Sequence, residues 1–458
     1  MKFLRKISLV SLLLFVLMSS MLSCKKDHNN GNAIIDSLDL NKKIKDTAWM
    51  YAQEIYLWYN HLPASFNPQS YSDPNAIMEA IRAYSIEPGF PNPVDKWSFA
   101  IKKTDWDNVS SGINGDFGMN IFFNSTNDLR VSYVEPASPA GAAGITRSWR
   151  IIAVNNDTAI NTDDATITRI STAVFKSATS SFVFRRPDKS DTTITLTAAT
   201  YQEQPILLDS VYTVGTKKVG YMVYNSFLGD ISSMKNKFSS LFSKFTSLGI
   251  QDLIVDLRYN GGGYVALQNE LANYLVPTAG NGGIMLQEKY NDKYSRKYDT
   301  TINYTKKGFL NLSRIFFITA KNTASASELL INSLKPYLDV KLVGRTTHGK
   351  PVGFFNISDG DWYIFPVSFR SVNKNGEGNY FNGMQPDAGV SDGLDSPWGD
   401  INEKCLASVL HYISDGVFSN ISARGTQDVL KDAVNMKLDA RRFKGAVAGD
   451  RSVIQSQR

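Results

Sequence analysis

The stretch "NTASASELL", residues 322–330, follows an apolar run, "RIFFITA", and puts Ser325 and Ser327 at a step from strand to helix. Two readings compete for such serines. Ser325 with Glu328 three positions on fits a capping box, in which a hydroxyl and a carboxylate satisfy free amides at a helix start. A serine there also suits acyl transfer, because the next amide faces the same point and can hold an oxyanion. A second stretch, "RYNGGG" at 258–263, bares successive backbone N–H groups. It lacks the spacing of either common nucleotide-binding glycine pattern, which leaves an oxyanion hole as its stronger use. A third, "THGKPVG" at 347–353, sets Lys350 between Gly349 and Pro351 after an apolar strand. Lysine acts as a base only when neutral, so burial must lower its ordinary pKa of about 10.4 by several units. An exposed turn is the plain alternative. The four histidines, His28, His61, His348 and His411, show no metal-ligand spacing and no Ser–His–Asp order. No metal or cofactor is expected, and His348 is expected to face solvent.

The elements that must position these residues follow from hydrophobic period. Residues 205–415 alternate strand and helix: "KVGYMVYNSF", then an amphipathic helix marked by Phe238, Leu241, Phe242 and Phe245, then "DLIVDLRYNGGG" and a helix after it, then "RIFFITA" and "SASELLINSL". Such alternation predicts a mixed α/β layer with active loops at strand ends. Residues 112–200 read instead as five short strands with two short helices, a small β-rich module. Residues 40–105 carry helical periodicity at Ala52, Ile55, Tyr56 and Tyr59, and again at Ile77, Ala80, Ile81 and Tyr84. Residues 416–458 are polar with one weak helix and read as a loosely attached tail.

Length and composition agree with several folded units. The chain has 458 residues, 43% hydrophobic and 20% charged, with a net charge of +6 spread along it rather than gathered among aromatics, so nucleic acid is not an expected partner. Lys2, Arg5 and Lys6 precede a 12-residue apolar run, "ISLVSLLLFVLM", and then "MLSC". This is the pattern of a signal peptide, residues 1–24, with Cys24 placed as in a bacterial lipobox and 25–39 as a polar tether. A lipid on Cys24 would anchor the chain at a membrane of the cell envelope, facing the periplasm or the surface. The second cysteine, Cys405, lies in a helical pattern and reads as a small buried hydrophobe.

"DLRYNGGG", "SASE" and "GRTTHGK", in that order, resemble the motif run of the C-terminal processing peptidases, also called tail-specific proteases. The resemblance implies Ser325 as nucleophile and Lys350, 25 residues on, as base, with Ser327 structural. Glu328 is a weaker candidate for a third member. It implies an oxyanion hole from the amide of Ala326 with that of Gly261 or Gly262. The resemblance extends to "DKWSFAI" and "GMQPD", and to a PDZ-like module whose carboxylate-binding loop would be Phe117, Gly118 and Met119, so that polypeptides with free C-termini are the implied partners. The implied fold is α+β and multidomain: a helical region at 40–110, a PDZ-like domain at 111–203, a crotonase-like peptidase core at 204–415 and a tail at 416–458. Two positions depart from the family pattern: Phe354 stands where many members have Gln, and Pro336 where others have Asp. They keep open a catalytically silent peptide-binding lipoprotein as the alternative.

Overall fold

The computed structural model describes residues 29–419, 426–438 and 443–448. The leader, Cys24 and residues 25–28 of the expected tether lie outside the described residues, and 29–39 are not a polar tether but the first turns of helix Asn29–Ile55. Among the described residues no helix is long and apolar enough to cross a membrane.

The core is a six-stranded sheet in the order Ala388–Gly389, Asp339–Gly344, Arg314–Thr319, Asp252–Asp256, Lys217–Tyr224 and Ile206–Val214. All neighbours are parallel except the last pair. "DLIVD" is buried along its whole length, which explains its unbroken apolar centre: a parallel strand covered on both faces has no polar side to show. Helices Ile231–Ser247, Val265–Leu275 and Ala326–Leu334 pack one face of it through Phe238, Phe242, Leu271 and Leu330. Helix Lys404–Asp415 covers the other face with Leu406 and Val409. Cys405 is buried there, as its helical setting implied.

Residues 119–197 form a five-stranded antiparallel sheet whose edge strand is Met119–Ser125, with helix Asp164–Phe175 beside it. A buried ionic cluster joins this module to the core. Arg147 donates to Asp392 at 2.6 Å and to the Tyr259 hydroxyl at 2.8 Å, while Arg258 donates to Asp256, Asp392 and Glu403. Against the cost of burial, the two guanidinium groups hold the Asp392 carboxyl well below the usual carboxylate range.

Two parts of the chain differ from the sequence reading. The N-terminal region is not purely helical. Helices Asn29–Ile55 and Pro74–Ile81 are followed by strand Phe99–Lys102, which pairs antiparallel with Trp362–Phe365 of the core. The tail is not loose where it is described. Helix Thr426–Leu438 lies against the edge strand of the β-rich module, with Leu438 in that module's apolar cluster. Strand Gly445–Val447 enters the core. A polar segment gives little periodicity to read, and its partners are more than 80 residues away.

Candidate active site

Ser325 stands at the turn between strand Arg314–Thr319 and helix Ala326–Leu334 with φ 57° and ψ −109°. A residue with a Cβ seldom adopts a positive φ, and such backbone strain, about 1–3 kcal/mol, persists only where surrounding contacts impose it. Here they are visible. The Ser325 N–H donates to Glu328 Oε2 at 2.8 Å, and the Ala324 N–H donates to the Asn260 carbonyl at 3.0 Å. Ser327, two residues on, donates its hydroxyl to the same Asn260 carbonyl at 3.1 Å. The Ser325 hydroxyl is buried and gives its proton to no partner among the described residues, while its oxygen faces the Glu328 N–H in the capping box that Ser325 and Glu328 form. Only one serine of the pair therefore has an undonated hydroxyl proton.

Glu328 ties the serine turn to the lysine turn. Its carboxylate accepts from the Thr347 hydroxyl, from the Gly349 N–H at 2.7 Å and from the Lys350 N–H at 2.8 Å, besides the Ser325 N–H. Burial pushes its pKa up, and these four donors pull it back towards the ionised form. The turn needs Gly349 at φ 94°, because a Cβ there would sit 2.3 Å from the Phe381 carbonyl. Lys321 holds the same turn by donating to the Thr347 and His348 carbonyls.

Lys350 is buried, and burial lowers its pKa well below the ordinary lysine value; Asp95 and Glu328 oppose that shift and Arg82 adds to it. Its ammonium lies 4.0 Å from the ring centroid of Phe354 and 5.5 Å from that of Trp97, and Nζ donates to the Lys444 carbonyl at 3.0 Å. Phe354 thus supplies a ring face where a glutamine would supply an amide. The ring faces favour the charged form, but burial opposes it more strongly and prevails.

The oxyanion candidates separate. The Ala326 and Gly261 N–H groups make no hydrogen bond among the described residues. The Gly262 N–H is spent on Asn260 Oδ1 at 2.9 Å, which removes it as a donor. His348 does not face solvent as expected. Its Nε2 accepts from Trp97 Nε1 at 3.0 Å, and burial, followed by Lys444 and Lys321, lowers its pKa to about 3. In the β-rich module, Phe117 and Met119 are buried in the module's own core, and Gly118 donates its N–H to Asp116 Oδ1 at 2.7 Å. Asp116 therefore already holds the amide at the centre of the loop expected to capture a carboxylate. Trp97, Asn260, Thr347 and Lys444 are site residues that sequence reasoning did not single out. "DKWSFAI" and "RYNGGG" contain the first two, but nothing in their spacing reports what they touch.

The family model for peptidase family S41 matches residues 218–390, and that for the peptidase S41 N-terminal domain matches 43–99, together about half of the chain. The chain belongs to peptidase family S41. It is 26% identical over 293 residues to the carboxy-terminal processing protease CtpB of Bacillus subtilis (strain 168), which covers 61% of this chain and 55% of that one. It is 24% identical over 302 residues to a CtpA-like serine protease of Staphylococcus epidermidis, covering 65% of this chain and 58% of the other. The chain thus spans between half and two thirds of the length of these relatives. Its fold is also that of a candidate S41 protease from Bacteroides fragilis NCTC 9343, with a TM-score of 0.65 at 21% identity over 81% of this chain and 97% of that one. These S41 residues are the ones whose geometry is given above: Ser325 and Lys350 both fall within the matched span.

Proposed function

We propose that this S41 protein is a serine endopeptidase that cuts polypeptides near an accessible C-terminus, with Ser325 as nucleophile and Lys350 as base. One observation carries the reading: Glu328 binds the backbone of both residues, so a hydroxyl with an undonated proton and a buried lysine are fixed on one carboxylate. Ser325 Oγ attacks the scissile carbonyl carbon and its proton passes to neutral Lys350. The Ala326 and Gly261 amides hold the oxyanion. The lysine then gives the proton to the leaving amine, and water, activated by the same lysine, releases the acyl group. Glu328 is a positioning residue in this scheme. Incubation with an unfolded protein tests it: cleavage is expected in the wild type and absent in Ser325→Ala. Binding without cleavage would support the silent peptide-binding reading, which draws on the Lys350 Nζ bond to Lys444 in place of Ser325.

The PDZ-like module is proposed to receive the substrate's tail as an added strand on Met119–Ser125. A cavity lined by Gly118, Met119, Tyr133 and Ser226 runs from that module to Gly261 and Gly262, which supports a route from one to the other. A substrate with a free C-terminus should be cut faster than its amidated form, and equal rates would remove the module from the reading. The protein is further proposed to be lipid-anchored in the cell envelope through Cys24. Metabolic labelling with a fatty acid should mark the wild type and spare Cys24→Ala.

A further inference from the structure

The strand edge that the glycine loop offers is filled by the chain itself. Strand Gly445–Val447 runs parallel to Gly262–Tyr264, in the register Gly262 to Gly445, Gly263 to Ala446 and Tyr264 to Val447. Its other edge is paired too: the Phe354 N–H donates to the Ala446 carbonyl at 3.1 Å, and the Ala448 N–H donates to the Phe354 carbonyl at 3.0 Å. The two flanking segments are those that carry the oxyanion amides and follow the lysine turn. The Gly445 N–H donates to the Gly261 carbonyl at 3.1 Å, and the Lys444 carbonyl takes the Lys350 ammonium. The core glycines are cut to admit a backbone here. A Cβ on Gly261 would lie 2.3 Å from the Phe443 carbonyl oxygen, and one on Gly262 would lie 2.4 Å from that of Gly445.

We propose that Phe443–Ala448 is an intramolecular occupant of the substrate groove, bound as an incoming peptide strand would be and excluding it. The claim rests on the peptidase reading of the groove. It also states what the groove accepts: an extended strand with an aromatic residue first, small residues at the third and fourth places and an apolar one fifth. Phe443 lies 5.2 Å from the Trp106 ring, Gly445 has no room for a side chain beside the Phe354 ring, and Val447 is buried in the aromatic cluster around Phe354 and Phe365. The occupant is tethered from upstream. Asn435, on the helix before it, donates to the Phe123 carbonyl and accepts the Phe123 N–H at 2.8 Å, so it covers the free edge of the PDZ-like sheet. One short segment of chain thus covers both places where a substrate strand would bind. A three-residue strand is brief enough to be displaced, and it lowers apparent affinity for any other peptide by the fraction of time the groove stands open.

Two full-length variants expel the tail by different means. Gly445→Pro removes the N–H bonded to Gly261, and Val447→Asp puts a charge among aromatic rings. Binding of a fluorescent synthetic peptide with the sequence of residues 443–448 is measured by anisotropy in a Ser325→Ala background, where nothing is cut. Both tail variants should bind it about tenfold or more tightly than the chain with its own tail. In turnover of an unfolded protein, each should lower KM by about the same factor. Equal peptide affinity with and without the substitutions would overturn the proposal, even if the enzyme is active. Absence of turnover in every variant would instead sink the peptidase reading, and the binding comparison would still decide the tail.

Discussion

Lys350 is costly to the fold and necessary to the proposed chemistry, and the two effects can be measured apart. Its neutral form is the base, so activity should climb with pH through its lowered pKa and then level off. Lys350→Ala should abolish turnover, and Lys350→Arg should too, because a guanidinium stays protonated. Lys350→Met should be inactive yet more stable at pH 7, by about 1 kcal/mol or more in chemical denaturation, because it no longer buries an ionisable group without a carboxylate bonded to it. The sign follows from linkage. Below the folded pKa the full penalty is present, and it is relieved as pH rises towards the unfolded value of about 10.4, so the advantage of methionine should shrink over that window. His348 makes the contrast. Already neutral and bonded to Trp97, it should tolerate alanine with activity within about tenfold, or about 1.4 kcal/mol of barrier.

At the scale of elements, the serine turn and the lysine turn are held as one unit by Glu328. Glu328→Gln keeps the shape but turns an amide N–H towards donors, which should cost about 1–3 kcal/mol of stability and lower kcat more than it raises KM. The strain at Ser325 gives a second check: Ser325→Gly should unfold at higher denaturant than Ser325→Ala, by about 1 kcal/mol, because glycine accepts φ 57° freely. This level also shows what a sequence can and cannot carry. The backbone settings of Ser325, Lys350 and the glycine loop were readable because local rules fix them: an apolar strand, a helix start, a turn that needs glycine. Phe354 was visible only as a departure, since its ring becomes a partner of the ammonium through folding alone. The choice between Gly261 and Gly262 turns on a side-chain bond from Asn260 that no spacing encodes. The tail strand "GAV" is three residues long and pairs with segments about 90 and 180 residues away, too short and too distant to leave a periodic trace.

Across the whole molecule, the β-rich module and the core meet through Asp392, which takes Arg147 from one and Arg258 from the other. Removing that carboxylate leaves two buried guanidinium groups less well paired, and Asp392→Ala should cost about 3 kcal/mol. Thermal unfolding should then show the module and the core separating into distinct steps if this cluster is what couples them.

The claim on which the rest depends is that Ser325 is made nucleophilic by Lys350. A serine-directed phosphonylating probe, read by mass spectrometry of the intact and digested chain, addresses it without a known substrate. Wild type and Gly445→Pro are both labelled, so that the tail cannot mask the site. The predicted result is one adduct on Ser325, formed faster as pH rises, faster in Gly445→Pro, and lost in Lys350→Arg. Labelling at Ser327, or labelling at Ser325 that Lys350→Arg leaves unchanged, would contradict it.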